Sequence, residues 1–214
     1  MKNKLCAILL SGLLIVSLGG CKTADDKEKP LQDKKADISS EKEEDTETAS
    51  PQIESGIVIA EKTLNEFCVK IVMDEGIYIT DVVSPDANLY EGEFSIVVEK
   101  NGRKCHSKEL HWNTGEKLYF PEEIKISVKD YNGDGRSDFV LGQYLSSNEM
   151  EYQFYTVTKQ GKVRQLKIDS KGGNSIVAAR RDYSPAFKMD NGKVKYEKYN
   201  METGENEKQE VVVR

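Results

Sequence analysis

The sequence predicts an all-β fold of antiparallel hairpins over residues 56–214, arranged as a sandwich or as an open stack of blade-like sheets. Apolar and polar residues alternate with a period of two through most of this region, and Tyr, Phe, Val and Ile dominate the alternating segments. Tight-turn dipeptides separate these segments. No segment has a convincing amphipathic helical pattern, and the best candidate, residues 61–67, is short enough to be a single turn.

Three stretches share the plan of a strand, a two-residue turn and a second strand. Asn-Gly, the turn dipeptide in two of them, supplies the positive φ angles of a type I′ hairpin, and Gln-Gly occupies the turn of the third. The turns along the region indicate roughly ten strands, which is too few for a typical closed propeller. The stretches are FSIVVEKNGRKCHSKEL at 94–110, YQFYTVTKQGKVRQLKI at 152–168 and FKMDNGKVKYEKY at 187–199.

The N-terminus predicts export and lipid anchoring. Two lysines precede an apolar segment, residues 5–18, which has the length of a signal peptide and is short for a membrane span. Leu18-Gly19-Gly20-Cys21 then resembles a bacterial lipobox. The resemblance implies that residues 1–20 are a lipoprotein signal peptide. It also implies that acyl chains such as palmitate on Cys21 hold the protein in the cell membrane at its extracytoplasmic face. The alternative is an ordinary signal peptide with a chance cysteine.

Residues 21–55 predict a disordered, acidic linker behind the lipidated cysteine. Residues 22–55 contain eleven Asp and Glu against six Lys, with no aromatic residue and few large apolar ones. Such a chain cannot bury enough surface to offset its ordering entropy, and a flexible 34-residue segment reaches roughly 30 Å. A helix over residues 39–48 is the rival, although it has no apolar face to bury. The net charge of −6 favours no nucleic-acid partner.

Two cysteines remain in the predicted domain. In an exported protein, Cys68 and Cys105 permit one disulfide. Both lie in strand-like segments, which neither favours nor excludes the bond. The alternative is a pair of buried, unpaired thiols that act as small apolar groups.

The stretch DYNGDGRSD, residues 130–138, places oxygen-bearing side chains at its first, third, fifth and ninth positions, with Gly135 at the sixth. These are the first nine positions of an EF-hand calcium loop. The twelfth position, however, is Leu141 where an EF-hand has Glu, and the flanks of the loop alternate as strands do. The predicted unit is therefore strand–loop–strand.

That pattern, Asp-x-Asn-x-Asp-Gly-x-x-Asp followed by an apolar strand, resembles the calcium hairpins of FG-GAP and VCBS-type repeats over roughly residues 124–145. The words Phe-Gly and Gly-Ala-Pro of a full FG-GAP repeat are absent. The alternative is a metal-free hairpin, since Asn-Gly and Asp-Gly also form turns. The resemblance implies a calcium ion with a structural role, held by the side chains of Asp130, Asn132, Asp134 and Asp138 and by the carbonyl of Arg136.

No catalytic constellation is predicted, and we expect a protein that is not an enzyme. His106 and His111 follow Cys105 closely, but a spacing of five places the two imidazoles on opposite faces of a strand, which disfavours a zinc site. The sequence therefore predicts a membrane-anchored bacterial surface lipoprotein whose β domain is a binding module for an unidentified envelope or extracellular ligand. The alternative is a cell-envelope hydrolase or an envelope-processing accessory protein, which a deep polar pocket containing either histidine would favour.

Overall fold

The regular elements of the described residues are fourteen β-strands, with no helix among them. A computed structural model describes residues 52–80, 88–113, 115, 117–169 and 173–214. The strands form three antiparallel sheets that follow one another along the chain, so the predicted all-β, antiparallel class is confirmed. The predicted signal peptide, Cys21 and nearly all of the predicted linker lie outside the described residues.

The three sheets have six, five and three strands. The first contains β1 (Ile53–Glu54), β2 (Ile57–Leu64), β3 (Phe67–Ile79), β4 (Leu89–Lys100), β5 (Arg103–Glu109) and β6 (Leu118–Pro121). The second contains β7 (Val128–Lys129), β8 (Asp138–Ser146), β9 (Glu149–Val157), β10 (Val163–Gln165) and β11 (Ser175–Ala178). The third contains β12 (Lys188–Asp190), β13 (Lys193–Asn200) and β14 (Glu205–Val211).

The first sheet is built on its two longest strands, β3 and β4. Strands β1 and β2 both pair with β3, and strands β5 and β6 both pair with β4. A bulge lies between Met73 and Glu75, and Gly76 stands directly opposite Gly92 just beyond it. A Cβ atom on Gly92 would lie 2.2 Å from the backbone oxygen of Glu75. Glycine is therefore required where the two backbones approach so closely, beside the bulge that bends the strand.

The two Asn-Gly turns have the backbone conformation that their sequence predicts. Asn101 and Gly102 have φ angles of 52° and 72°, and Asn191 and Gly192 have φ angles of 49° and 73°. Both Asn-Gly turns thus have the two positive φ angles that a type I′ turn needs. At the Gln-Gly turn only Gly161 has a positive φ, so this turn lacks the two positive φ angles of type I′.

Two boundaries differ from the expectation. The helix candidate at 61–67 is instead the end of β2, a turn in which Asn65 has a φ of 54°, and the first residue of β3. Strand β1 lies inside the segment predicted to be linker, and Ile53 pairs with Ile77. The structured region therefore begins before residue 56. A two-residue strand carries too little alternation to be recognised in the sequence.

One hydrophobic core runs through all three sheets. Phe94 of the first sheet meets Phe120 at 4.8 Å between ring centroids, and Phe120 meets Tyr183, which precedes the third sheet, at 5.7 Å. In the second sheet, Phe154 meets Phe187 at 5.8 Å. Phe94 and Phe120 both belong to the first sheet, whereas Tyr183 and Phe187 lie in the connection between β11 and β12, so this connection packs against the first and second sheets.

Candidate metal centre

The acidic loop connects β7 to β8 within the second sheet. Lys129 and Asp138 are paired across the two strands, so the eight residues between them form the connection. Gly133 and Gly135 have φ angles of 76° and 80°, a region that L side chains rarely adopt. The predicted strand–loop–strand unit is present, although β7 contains only two residues.

Asp130 organises the first half of the loop. Its Oδ1 accepts hydrogen bonds from the backbone N–H groups of Gly133, at 2.7 Å, and Asp134, at 3.2 Å. Its Oδ2 accepts from the N–H of Gly135 at 2.8 Å. The loop therefore curls around this carboxylate, and the positive φ at the two glycines turns their N–H groups inward.

Asn132 and Asp134 are linked to each other on the exposed side of the loop. The amide oxygen of Asn132 accepts from the N–H of Asp134 at 3.0 Å, and its Nδ2 donates to Asp134 Oδ2 at 3.2 Å. Asp134 Oδ1 accepts from the N–H of Arg136 at 2.8 Å. Both side chains direct oxygen atoms into the loop, where backbone N–H groups hold them.

Asp138 differs from the other acids because it is fully buried. Its Oδ2 accepts hydrogen bonds from the N–H groups of Tyr131, at 2.8 Å, and Asn132, at 3.3 Å. Its Oδ1 is buried without a hydrogen bond of normal geometry, and so is the hydroxyl of Thr156 on the paired strand. Burial raises the pKa of Asp138, and the charge of Asp134 adds to this rise. The nearby Thr156 hydroxyl and the two N–H groups act in the opposite direction.

Side-chain oxygens satisfy the backbone of the loop throughout. Every N–H from residue 131 to residue 136 donates to a carboxylate or amide oxygen of the loop itself. A carboxylate oxygen has further lone pairs beyond those that such bonds use. The loop is therefore shaped by its acceptors while it keeps oxygen atoms with capacity for a cation.

The contacts of the Arg136 guanidinium within the described residues include none of the three loop carboxylates. Its Nε donates to the carbonyl oxygen of Val157 at 3.2 Å, and its Nη2 lies 3.7 Å from a carboxylate oxygen of Glu66. The only positive side chain of the loop is thus engaged elsewhere, so it does not neutralise the acidic side chains. The resemblance to calcium hairpins gives Arg136 a ligand role through its backbone carbonyl and gives its side chain none.

The side chain of Tyr131 fixes the loop to the hydrophobic core. The ring of Tyr131 packs edge-on against Phe154 with centroids 5.1 Å apart, and its hydroxyl accepts from the N–H of Phe187 at 3.1 Å. Leu141, at the twelfth position, is fully buried on β8. Burial there explains why an apolar residue replaces the bidentate Glu of an EF-hand.

The donor set fits calcium in its chemistry. Carboxylate and amide oxygens are the hard ligands that calcium prefers, and a cation beside Asp138 would compensate the buried charge. Across the described part of the chain, no three His, Cys, Asp or Glu side chains are already grouped closely enough to form a metal cluster.

Cys68 and Cys105 are free thiols in this structure, and the disulfide that the sequence permits is not formed. Cys68 lies on β3 and Cys105 on β5, and β4 lies between these strands. Two strand spacings amount to roughly 10 Å, beyond the Cα separation that a disulfide can bridge. Burial raises the pKa of the Cys68 thiol. Cys105 is exposed.

The two histidines are separated in the structure. His106 lies on β5, and its Nδ1 accepts from the N–H of Val163 at 3.4 Å. His111 follows β5, with its side chain 72% exposed and 3.6 Å from Glu109. Three cavities in the described region are lined by other residues and contain neither histidine.

The sequence did not predict a functional role for residues 179–182. This segment follows β11 and contributes lining residues to all three cavities. The pair Arg180-Arg181 was the available signal, but two adjacent arginines are common on surfaces, and only the fold brings the lysines of the third sheet beside them.

No protein-family model matches this chain, and neither a curated protein nor a solved structure was found to match it. Among the residues with a described conformation, no helix has the length and apolar character needed to cross a membrane.

Proposed function

We propose that this chain is a lipid-anchored protein of the bacterial cell surface, whose β domain is a binding module stabilised by one calcium ion in the loop of residues 130–138. The lipobox at Cys21 supports the anchor, and the acidic loop supports the ion. The module binds an envelope or extracellular ligand and performs no catalysis of its own. The role of calcium is to fix the loop and thereby align β7 with β8.

One observation carries the calcium proposal. Asp138 has a fully buried carboxylate at the end of a loop that holds two further carboxylates, and one of its oxygens has no hydrogen bond of normal geometry beyond the contact with the Thr156 hydroxyl. A buried ionised carboxylate is costly unless a positive charge compensates it. The guanidinium of Arg136 is engaged with Val157 and Glu66, so a bound cation is the compensating charge that the composition of the loop favours.

Calcium addition tests this role. Ligand at ten times its Kd raises the free energy of unfolding by about 1.4 kcal/mol if it binds only the folded state. Without the bidentate Glu we expect a Kd of about 10⁻⁴–10⁻³ M, so roughly 10 mM calcium should raise the Tm by a few degrees. Thermal unfolding and calorimetry on a soluble form, residues 22–214, measure both quantities, and EDTA should reverse the shift.

Asp134→Ala should abolish the calcium-dependent rise in Tm, because it removes a central charged ligand. Its metal-free stability should equal or exceed that of the parent, since repulsion among the three carboxylates is relieved. Glu202→Ala is the matched control, because it removes an exposed acid from another turn. Absence of both a heat of binding and a thermal shift in the parent protein would reduce the loop to an ordinary acidic turn.

The lipid anchor has a separate test. Cys21→Ala should move the protein from the detergent phase to the soluble or unprocessed pool, because no acyl chain can be attached. Cys6→Ala, a cysteine change within the signal segment, should leave the partition unchanged. A Cys21→Ala protein that remains in the membrane at its mature size would disprove the lipobox assignment.

A further inference from the structure

A furrow follows the connection between β11 and β12. Three cavities of about 320, 900 and 380 Å³ open along it, and Arg180 lines all three. The largest lies between this connection and the third sheet. Its charged lining residues are Arg180, Arg181, Asp182, Lys188, Lys195, Glu197, Lys208 and Glu210.

The two arginines are held in place. The N–H of Ala179 donates to the carbonyl oxygen of Glu197 at 2.7 Å, which ties the connection to β13. The guanidinium of Arg180 lies over the Phe187 ring, 5.6 Å from its centroid, and pairs with Asp182 at 2.8 Å. Arg181 donates through Nη2 to the carbonyl oxygen of Ser147 at 3.2 Å. Each arginine therefore has contacts of its own, which pre-position the two cationic side chains.

The opposite wall of the furrow is one face of the third sheet. Lys188 pairs in register with Lys195, and Lys195 pairs with Glu210, so the three side chains lie in one row across the sheet. Glu197 and Lys208 form the next row on the same face. Lysines from three adjacent strands thus face the arginines across the cavity.

Most of the acidic charge in the largest cavity is already compensated. Asp182 pairs with Arg180. Glu210 accepts hydrogen bonds from Lys193 and Lys195, which lower its pKa to about 2 and keep it ionised within that cluster.

Three cations of the largest cavity form no ion pair within the described part of the chain, although Glu197 is the cross-strand neighbour of one of them, Lys208. Among the described residues, no carboxylate lies within ion-pair distance of Arg181, Lys188 or Lys208. Five of the eight charged lining residues are positive, whereas residues 56–214 contain 23 Lys and Arg against 26 Asp and Glu. The lining of the cavity therefore has a net positive charge, whereas the domain as a whole has a net negative charge.

We propose that this furrow binds an anionic chain with repeated phosphate or carboxylate groups. Guanidinium groups match the two oxygens of either anion, and lysines add point charges along the sheet. An open furrow with cations on both walls suits an extended ligand, since it can engage successive negative groups. The assignment deepens the proposed binding-module role and names the chemistry of its ligand, but it requires neither the lipid anchor nor the calcium loop.

The test measures binding of two probes, fluorescent inorganic polyphosphate and fluorescent poly-L-glutamate, to the full chain in nonionic detergent. We expect saturable binding of at least one probe at low salt, weakened as ionic strength rises. Preference for polyphosphate identifies a phosphate polymer as the natural class, and preference for polyglutamate identifies a carboxylate polymer. Binding of neither probe at low salt overturns the proposal.

Two double variants with equal charge changes localise the site. Lys188→Glu with Lys208→Glu should weaken binding at least tenfold, whereas Lys159→Glu with Lys162→Glu, on the exposed β9–β10 turn, should change it by less than twofold. Equal weakening by both pairs indicates unspecific charge attraction and overturns the site.

Isolated envelope fragments distinguish failure of the furrow from failure of the binding module. If the furrow variant and the parent bind the fragments equally well, the furrow assignment fails and the module stands. If the parent binds neither the fragments nor either probe, both assignments fail.

Discussion

The Asn-Gly hairpins and the acidic loop perform the same task by different means. Each reverses the chain between two antiparallel strands. At Asn101-Gly102 two residues suffice, because the backbone conformation alone closes the turn. Between β7 and β8 eight residues are used, and carboxylate and amide oxygens accept every N–H from residue 131 to residue 136.

This difference shows that the acidic side chains of the loop are not needed merely to reverse the chain direction. A short turn gains its stability from φ preferences, which are insensitive to ions. The acidic loop gains its shape from charged acceptors, so its stability depends on what compensates their charge. We therefore expect the two kinds of turn to respond differently to metal, substitution and pH.

Substitution of Asp138 should have the largest effect. Asp138→Ala removes the acceptor for the N–H groups of Tyr131 and Asn132, and a buried, unsatisfied donor costs about 1–3 kcal/mol. We expect the free energy of unfolding to fall by about 2 kcal/mol or more, as measured by urea denaturation with and without calcium.

Asp138→Asn is the matched control, because it keeps an acceptor oxygen and removes only the charge. It should be insensitive to calcium and, at pH 7 in EDTA, at least as stable as the parent. A strong metal-free destabilisation by Asp138→Asn would mean that the buried charge is already compensated within the protein.

A pair of glycine substitutions sharpens the comparison at a smaller scale. Gly135→Ala and Gly102→Ala each force an alanine into a positive φ of 80° or 72°, with open space around the new Cβ. Each should cost about 1 kcal/mol in EDTA. Only Gly135→Ala should also reduce the calcium-dependent rise in Tm, because only that turn belongs to the proposed calcium site. Equal calcium responses in the two variants would contradict this distinction.

The pH dependence should be the smallest effect. The raised pKa of Asp138 means that the metal-free folded state binds a proton at this carboxylate more readily than the unfolded chain does. The stability from this group is therefore fully present below the ordinary carboxylate pKa of about 4 and is lost as pH rises through the folded-state value. In EDTA, the parent should lose Tm relative to Asp138→Asn between pH 4 and 7. Calcium should abolish or reverse that trend, and parallel curves in EDTA would contradict it.

Local features were accessible from sequence, and long-range ones were not. The Asn-Gly turns could be predicted because their φ preferences reside in two adjacent residues. The burial of Asp138 could not, because it depends on Thr156 of the paired strand and on the packing of Tyr131 against Phe154. The furrow was missed for the same reason, since cross-strand register places its lysines together.

Strand β1 has a mechanical consequence. If the protein is anchored through Cys21, any force between membrane and ligand enters the domain at Ile53, whose strand is held to β3 by only two paired residues. Those pairs would part before the longer β2–β3 ladder carries the load. Tension on the predicted linker would therefore act on β1 first, and it would reach β2 only after those two residue pairs had separated.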